Sequence, residues 1–347
     1  MSSTTVTDGA GPSAAQAELS RRSHGPLQRI QHLLHAHPWV SPLILLILTI
    51  IVFSIVNHRF LQASSLSLLV QQTAVVAALA LGQTLVILTA GIDLSVGAIA
   101  ILSTMIMASL AANNGVPGFL ALLIGVVFGL IAGWINGQLV TRINLPPFIV
   151  TLGTLSIFTA IALLYSGGSD IQNNRLPGII NWTGQAFDLL GFKLTAGVVI
   201  VVLMYIVVGF ALSQTAWGRH VYAVGDDPES ARLSGIASKR VLLSVYTVAG
   251  LIYGIAAWVL IGRAGAASPN AITDGNLQSI TAVVIGGTSL FGGRGGVIGS
   301  LLGALIVYAF QFGLSLAGVD QQFRVLAVGV LVIVAVAIDQ WIRTVKS

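Results

Sequence analysis

Residues able to do chemistry are few in this chain and unevenly placed. It holds 16 Lys and Arg and 11 Asp and Glu among 347 residues. Seven of these, Arg219, Asp226, Asp227, Glu229, Arg232, Lys239 and Arg240, fall between Gly218 and Arg240. Inside that stretch Asp227-Pro228-Glu229 has the form of a helix start: a carboxylate at the N-cap, proline at the first helical position, an acid in the first turn. Gly235 is placed to end such a helix in the left-handed conformation. The spacing predicts a helix of one to two turns carrying Ala231 and Leu233 among charged neighbours. A rigid capped element can dock against a partner. A solvated loop that merely concentrates charge on one side of a membrane fits the same spacing.

Asp93 is the one acid set close to the apolar runs and away from an obvious loop, in A-G-I-D-L-S-V-G. Gly91 can break one helix there and Asp93 can cap the next, satisfying N–H groups otherwise without partners. An ionisable group at membrane depth is equally a candidate for a substrate contact or a gate. No second acid or histidine lies near it, so no metal site is expected. Gln71, Gln72, Gln83, Thr84, Asn136, Gln138, Thr151 and Thr154 offer neutral hydrogen-bonding groups within or at the ends of apolar runs. They suit an uncharged, polyhydroxylated solute, and they suit helix–helix hydrogen bonds as well.

The run Gly286–Gly296 invites a phosphate-loop reading but lacks G-x-x-x-x-G-K-[ST] and its lysine. It reads instead as a non-helical break on a substrate path, opened by Gly286 and Gly287, or as a place of close helix packing. Gly313–Leu316 (G-L-S-L) superficially suits a membrane serine nucleophile. All six histidines, at 24, 32, 35, 37, 58 and 220, lie outside the apolar runs, so that serine has no base. With no cysteine there is no thiol catalysis, disulfide or cysteine metal site. No enzyme reading survives these exclusions.

The elements that must position these residues are membrane helices. The chain is 55% hydrophobic with mean hydropathy +0.93 and only 8% charged, whereas soluble domains are about 25% charged. Apolar runs fall at approximately 39–57, 67–90, 95–112, 118–140, 147–165, 195–213, 241–262, 277–290, 297–317 and 322–342. Nine are long enough to cross a ~30 Å hydrocarbon core as helices. The eighth would be only about 20 Å long, a partial or broken span. The 39 glycines fit helices whose backbones approach closely in lipid.

Ten crossings put both termini on one side. With the termini cytoplasmic, inner segments carry eleven basic residues (Arg21, Arg22, Arg29, Arg142, Arg219, Arg232, Lys239, Arg240, Arg294, Arg343, Lys346). Outer segments carry five (Arg59, Arg175, Lys193, Arg263, Arg324), the bias expected of cytoplasmic loops. The pI near 9.9 then reflects orientation in the bilayer rather than nucleic-acid binding. Two parts are expected: a cytoplasmic tail over 1–38 and a transmembrane domain over 39–347 with a charged cytoplasmic loop at 214–240. The first 24 residues read as disordered and not as a signal peptide, since the first long apolar run starts only near Trp39. Pro26–His35 reads either as a short interfacial helix or as a solvated linker. Ser166–Thr195, the longest outer segment, reads as a polar loop, a partner or gating element or a plain connector.

The motifs carry a resemblance. E-S-A-R-L-S-G, Glu229 to Gly235, resembles the E-A-A-x-x-x-G element of ABC importer permeases, with Ser230 for the first Ala and without the Leu-Pro pair expected downstream. L-G-Q-T-L-V-I-L-T-A-G-I-D-L-S-V-G (81–97), V-T-R-I-N-L-P-P-F-I-V-T-L-G-T (140–154) and A-V-V-I-G-G-T-S-L-F-G-G-R-G (282–295) resemble the ribose-type branch of sugar importer permeases. The resemblance implies an all-α polytopic bundle of about ten transmembrane helices, of the type II-like importer kind, in a bacterial cytoplasmic (inner) membrane. It implies that Asp227, Glu229, Ala231, Arg232, Leu233 and Gly235 belong to a coupling helix seated in a groove of an ATP-binding subunit. It further implies a permease homodimer, an extracytoplasmic sugar-binding protein, and ATP and Mg held by the partner rather than by this chain. A monosaccharide would be the solute, with Gln83, Thr84, Asp93, Asn136, Thr151, Thr154, Gly286 and Gly287 as candidates for its path or gate. The rival is a self-contained channel or ion-coupled carrier. Proton-coupled carriers usually place several acids or histidines in the membrane, and here there is only Asp93.

Overall fold

The computed structural model of the chain describes residues 39–344, apart from Leu190 and Thr273. The interfacial helix considered for Pro26–His35 lies outside the described residues. Long apolar runs become helices because a helix satisfies its backbone N–H and C=O groups internally, which lipid cannot do. In order these are α1 (Val40–Val56), α2 (Ala63–Leu88), α3 (Val96–Ala112), α4 (Gly118–Arg142), α5 (Pro147–Ser166), the one-turn α6 (Gly178–Asn181), α7 (Ala196–Gln214) and α8 (Ala216–Asp226). There follow α9 (Pro228–Leu233), α10 (Ser238–Ala264), α11 (Gly275–Ile285), α12 (Val297–Leu316) and α13 (Gln321–Thr344). Six of them, α2, α4, α5, α7, α10 and α12, are long and apolar enough to cross a membrane; α1, α3, α11 and Gln321–Val334 of α13 are apolar but shorter. Among the described residues, of which α13 contributes only Gln321–Val334, the length criterion is met by six helices, where the apolar runs predict nine.

The bundle is built around α2. Every residue from Thr73 to Leu88 is buried, as a helix apolar on all sides must be. Its walls are α7, α10, α11 and α12. The outward faces are apolar too: Ile55, Leu164, Ile206, Val207 and Phe210 are all exposed, the surface expected against lipid. Backbones approach closely between α4 and α10, where Gly129 and Gly133 face Gly250 and Gly254. A Cβ on Gly133 would stand 2.2 Å from the Tyr246 carbonyl oxygen, and one on Gly250 2.3 Å from that of Gly129.

The short eighth run is α11. It spans Gly275–Ile285 rather than 277–290, because Gly287 takes φ +81 and a Schellman turn closes the helix, with Gly287 N–H on Val284 O and Thr288 N–H on Val283 O. Its eleven residues reach about 16 Å. Its start lies beside the middle of α2, since a Cβ on Gly275 would meet Ile272 and Leu79. There Asn276 Oδ1 accepts the Gly97 N–H at 2.6 Å, joining the first turns of α3 and α11.

The Ser166–Thr195 segment is not a plain loop. It holds β1 (Ile171–Gln172), two 3-10 turns, α6 and a hairpin of β2 (Ala186–Leu189) and β3 (Phe192–Thr195). β1 pairs antiparallel with β4 (Ala266–Ala267), which follows α10. Trp182 stacks on Trp258 at 5.8 Å, and Thr183 Oγ1 donates to the Trp258 carbonyl at 2.8 Å. The segment is therefore fastened across the end of α10 by groups distant in sequence.

Candidate functional site

The charged stretch folds as two helices rather than one loop. Thr215 caps α8 by accepting the Gly218 N–H at 3.2 Å. One residue, Asp227, separates it from α9. Asp227 Oδ1 accepts the N–H groups of Glu229 at 2.9 Å and Ser230 at 3.1 Å, and Ser230 Oγ donates to Oδ2. The bonds from Ser230, then that from the Glu229 backbone, hold the Asp227 carboxyl below the usual carboxylate range. Pro228 takes the first helical position, where its missing N–H costs nothing. At the other end Gly235 has φ +84, its N–H returns to Arg232 O, and Ile236 N–H returns to Ala231 O, a full Schellman closure. Six residues are thereby closed at both ends by local bonds, with Ala231 packed on the core.

What α9 shows to solvent is specific. Arg232 forks onto Glu229 through Nε and Nη2, and that guanidinium keeps the Glu229 carboxyl below its usual range. Leu233 is 75% exposed, an apolar tip beside an ion pair, while Ala231 is buried beneath.

Behind α9, α8 rests on two breaks in the bundle. Its Gly225 lies so close to the end of α2 that a Cβ there would stand 1.8 Å from Leu88 O and 2.7 Å from Gly293 N. Gly293 N–H itself donates to Leu88 O at 3.0 Å. Tyr222 OH donates to Gly295 O at 3.0 Å, and Trp217 Nε1 to Ser244 Oγ on α10 at 2.8 Å. The last turn of α8, the end of α2 and the glycine run after α11 thus meet backbone to backbone.

The Leu88–Ser95 break leads to Asp93. The left-handed residue is Ala90, φ +58, and not Gly91. Gly91 is needed for space, since its Cβ would come 2.9 Å from the Tyr246 hydroxyl. The capping role read for Asp93 is also corrected. The N-cap of α3 is Ser95, and Asp93 Oδ1 accepts the Ser95 N–H at 2.8 Å and its hydroxyl at 2.6 Å, bracing the turn that enters the helix. Asn136 Nδ2 donates to Ser95 Oγ at 2.8 Å, and Thr151 Oγ1 to Ile92 O at 3.0 Å. Asp93, Asn136 and Thr151, far apart in sequence, are thus gathered around one break.

The other polar candidates are not gathered there by any such bond. Thr84 Oγ1 donates to Ala80 O within its own helix, Thr154 Oγ1 leans on Thr151 O, and Gln71 Nε2 reaches Lys193 O. Gln83 is fully buried with neither side-chain atom partnered. Gly286 lets α11 approach α12, its Cβ position lying 2.4 Å from the backbone of Gly299. It also borders a groove of about 570 Å³ lined by Val202, Ile206, Phe210 and Ile298. That groove is apolar and outward-facing, so it does not suit a polyhydroxylated solute. Among the described residues no three His, Cys, Asp or Glu side chains come together as a metal site.

Residues 65–336 match the family model described as the permease component of the branched-chain amino acid transport system. The chain belongs to this permease family. Curated relatives include a fructose import permease protein of Rhizobium meliloti, 50% identical over 325 residues, 92% of this chain and 90% of the relative. A ribose import permease protein of Bacillus subtilis (strain 168) is 36% identical over 305 residues, 87% of this chain and 92% of the relative. A D-allose transport system permease protein of Escherichia coli (strain K12) is 35% identical over 306 residues, 86% and 90% respectively. No solved structure matches.

The matched span of this multi-pass permease contains α9, the glycine run and every candidate polar residue. Sequence reasoning passed over Gly225, Ser95, Tyr246 and Tyr253. The glycines at 129, 133, 250 and 254 were legible as two pairs at four-residue spacing, a pattern of close helix approach. Tyr246 and Tyr253 sit seven apart beside the second pair, on one face of α10.

Proposed function

We propose that this permease is the membrane subunit of a bacterial ABC importer that carries a monosaccharide across the cytoplasmic membrane. The observation that carries this reading is the 50% identity to a fructose import permease over 92% of the chain. The relatives named for ribose and allose extend the same substrate class. Ten crossings with both termini cytoplasmic, and residues 39–347 as one transmembrane domain, agree with the eleven-to-five bias of basic residues. Two copies of the chain would enclose the path, an extracytoplasmic sugar-binding protein would deliver the solute, and a separate subunit would hold ATP and Mg.

In this reading α9 is the coupling helix, with Asp227, Glu229, Ala231, Arg232, Leu233 and Gly235 forming or shaping the contact. A shift of the ATPase subunit would pass through α8 to the Leu88–Ser95 break, where Asp93, Asn136 and Thr151 lie, and to the glycine run. Two-state elements of this kind are how a remote ligand biases a gate. The test is uptake of labelled pentoses and hexoses by cells with and without this chain, and with and without the ATPase subunit. Loss of uptake of one sugar in both deletions is the expected result. Uptake that persists without the ATPase subunit would make the chain a self-contained carrier.

A further inference from the structure

Near the Leu88–Ser95 break, buried side chains of the break itself, of α4 and of α10 carry polar atoms without hydrogen-bond partners. Asp93 is 1% exposed; its Oδ1 is used by Ser95, and its Oδ2 has no partner. Asn136 donates to the same Ser95 hydroxyl, and its own Oδ1 has no partner. The hydroxyls of Tyr246 and Tyr253, buried on one face of α10, also lack partners, and both lie within electrostatic reach of the Asp93 carboxylate. Gly91 and Gly82 make the room: the Tyr246 hydroxyl occupies the space of a Cβ on the first, and the Tyr253 ring that of a Cβ on the second.

These atoms share one chemistry. A carboxylate oxygen, an amide oxygen and two phenol oxygens are hard oxygen ligands. A buried carboxylate without a counter-charge costs far more than a neutral polar group. Among the described residues the only ion pair is Glu229–Arg232 on the surface, so no Lys or Arg there neutralises Asp93. One carboxylate balances one positive charge, and hard cations take oxygen ligands. We infer that the cage of Asp93 Oδ2, Asn136 Oδ1, Tyr246 Oη and Tyr253 Oη binds a monovalent alkali cation. The absence of a second acid, which disfavours a divalent metal, is what a singly charged ion requires. Because the cage is closed by the break on which α8 rests, the ion braces the start of α3.

The experiment uses the full chain purified in detergent, with Na⁺, K⁺ or Li⁺ chloride replacing choline chloride at fixed ionic strength. A bound ion stabilises the folded state by mass action, so the unfolding midpoint should rise and saturate with one of these cations. Asp93→Asn should abolish the response. Its carbonyl can still accept from Ser95, and its amide can donate to the unpartnered oxygens, so the chain should fold. Tyr253→Phe keeps the ring against Gly82 and should shift the response to higher cation concentration. If Asp93→Asn does not fold, the Tyr246→Phe, Tyr253→Phe double variant carries the same comparison. A wild-type midpoint indifferent to cation identity overturns the inference and leaves a protonated carboxyl or enclosed water in the cage. A wild-type response retained in both Asp93→Asn and the double variant also overturns it, since the ion then binds elsewhere.

Discussion

Gly225→Ala tests whether α8 is seated on the bundle as closely as its backbone contacts imply. The new Cβ would stand 1.8 Å from Leu88 O, whereas a carbon and a carbonyl oxygen tolerate about 3.3 Å. The chain must part there by about 1.5 Å, and the Gly293 N–H to Leu88 O bond lies in the way. Overfilling a packed site costs about 1–3 kcal/mol. Leaving the donor of half-buried Gly293 unpaired costs about 1–3 kcal/mol more. Replacing glycine inside a helix returns about 1 kcal/mol, so the net loss is roughly 1–5 kcal/mol. Gly153→Ala is the control: it is also helical, in α5, but nothing lies within 4 Å of its Cβ position, so propensity alone should act. Thermal unfolding of the purified chains, followed by ATP hydrolysis with the ATPase subunit in vesicles, reads both consequences. Gly225→Ala should melt several degrees lower and, where it folds, hydrolyse ATP with weakened dependence on solute. A variant that melts with wild type and stays fully coupled would mean that α8 does not rest on Leu88 and Gly293, and the route from α9 inward would be wrong.

Gly235→Val forces a β-branched residue to φ +84, where left-handed backbone costs about 1–2 kcal/mol even for unbranched residues; it should still insert yet lose the ATPase subunit on purification. Glu229→Lys removes the fork with Arg232 and sets a positive charge at the N-terminus of α9; pull-down should show the same loss with little change in melting. Asp93→Leu should lower the amount of folded protein, because the Ser95 N–H and hydroxyl lose their acceptor, while Asp93→Ser, which can still accept, should retain more of it by fluorescence size exclusion. With no native cysteine in the chain, cysteines at Ser169 and Ser234, both exposed, report topology: an impermeant thiol reagent on intact cells should label the first and not the second.

Features written in adjacent residues are legible in the sequence alone. The helices follow from uncharged apolar runs, because lipid leaves the backbone no other way to satisfy itself. The α9 helix follows from Asp227, Pro228 and Gly235, because capping is a matter of a few neighbouring groups. The same local reading errs at the Leu88–Ser95 break, where it gives Gly91 the turn and Asp93 the cap. The positive φ falls on Ala90, and Gly91 instead leaves its Cβ space to a tyrosine from α10, more than 150 residues away. Asp93 turns to Ser95, whose hydroxyl is also held by Asn136 of α4, 41 residues further along the chain. The seat of α8 depends likewise on Gly225, Leu88 and Gly293 meeting from three separate elements. Periodicity and caps record what a residue's near neighbours require. Which distant backbones touch, and which buried oxygens are left facing one another, is decided only when the helices pack.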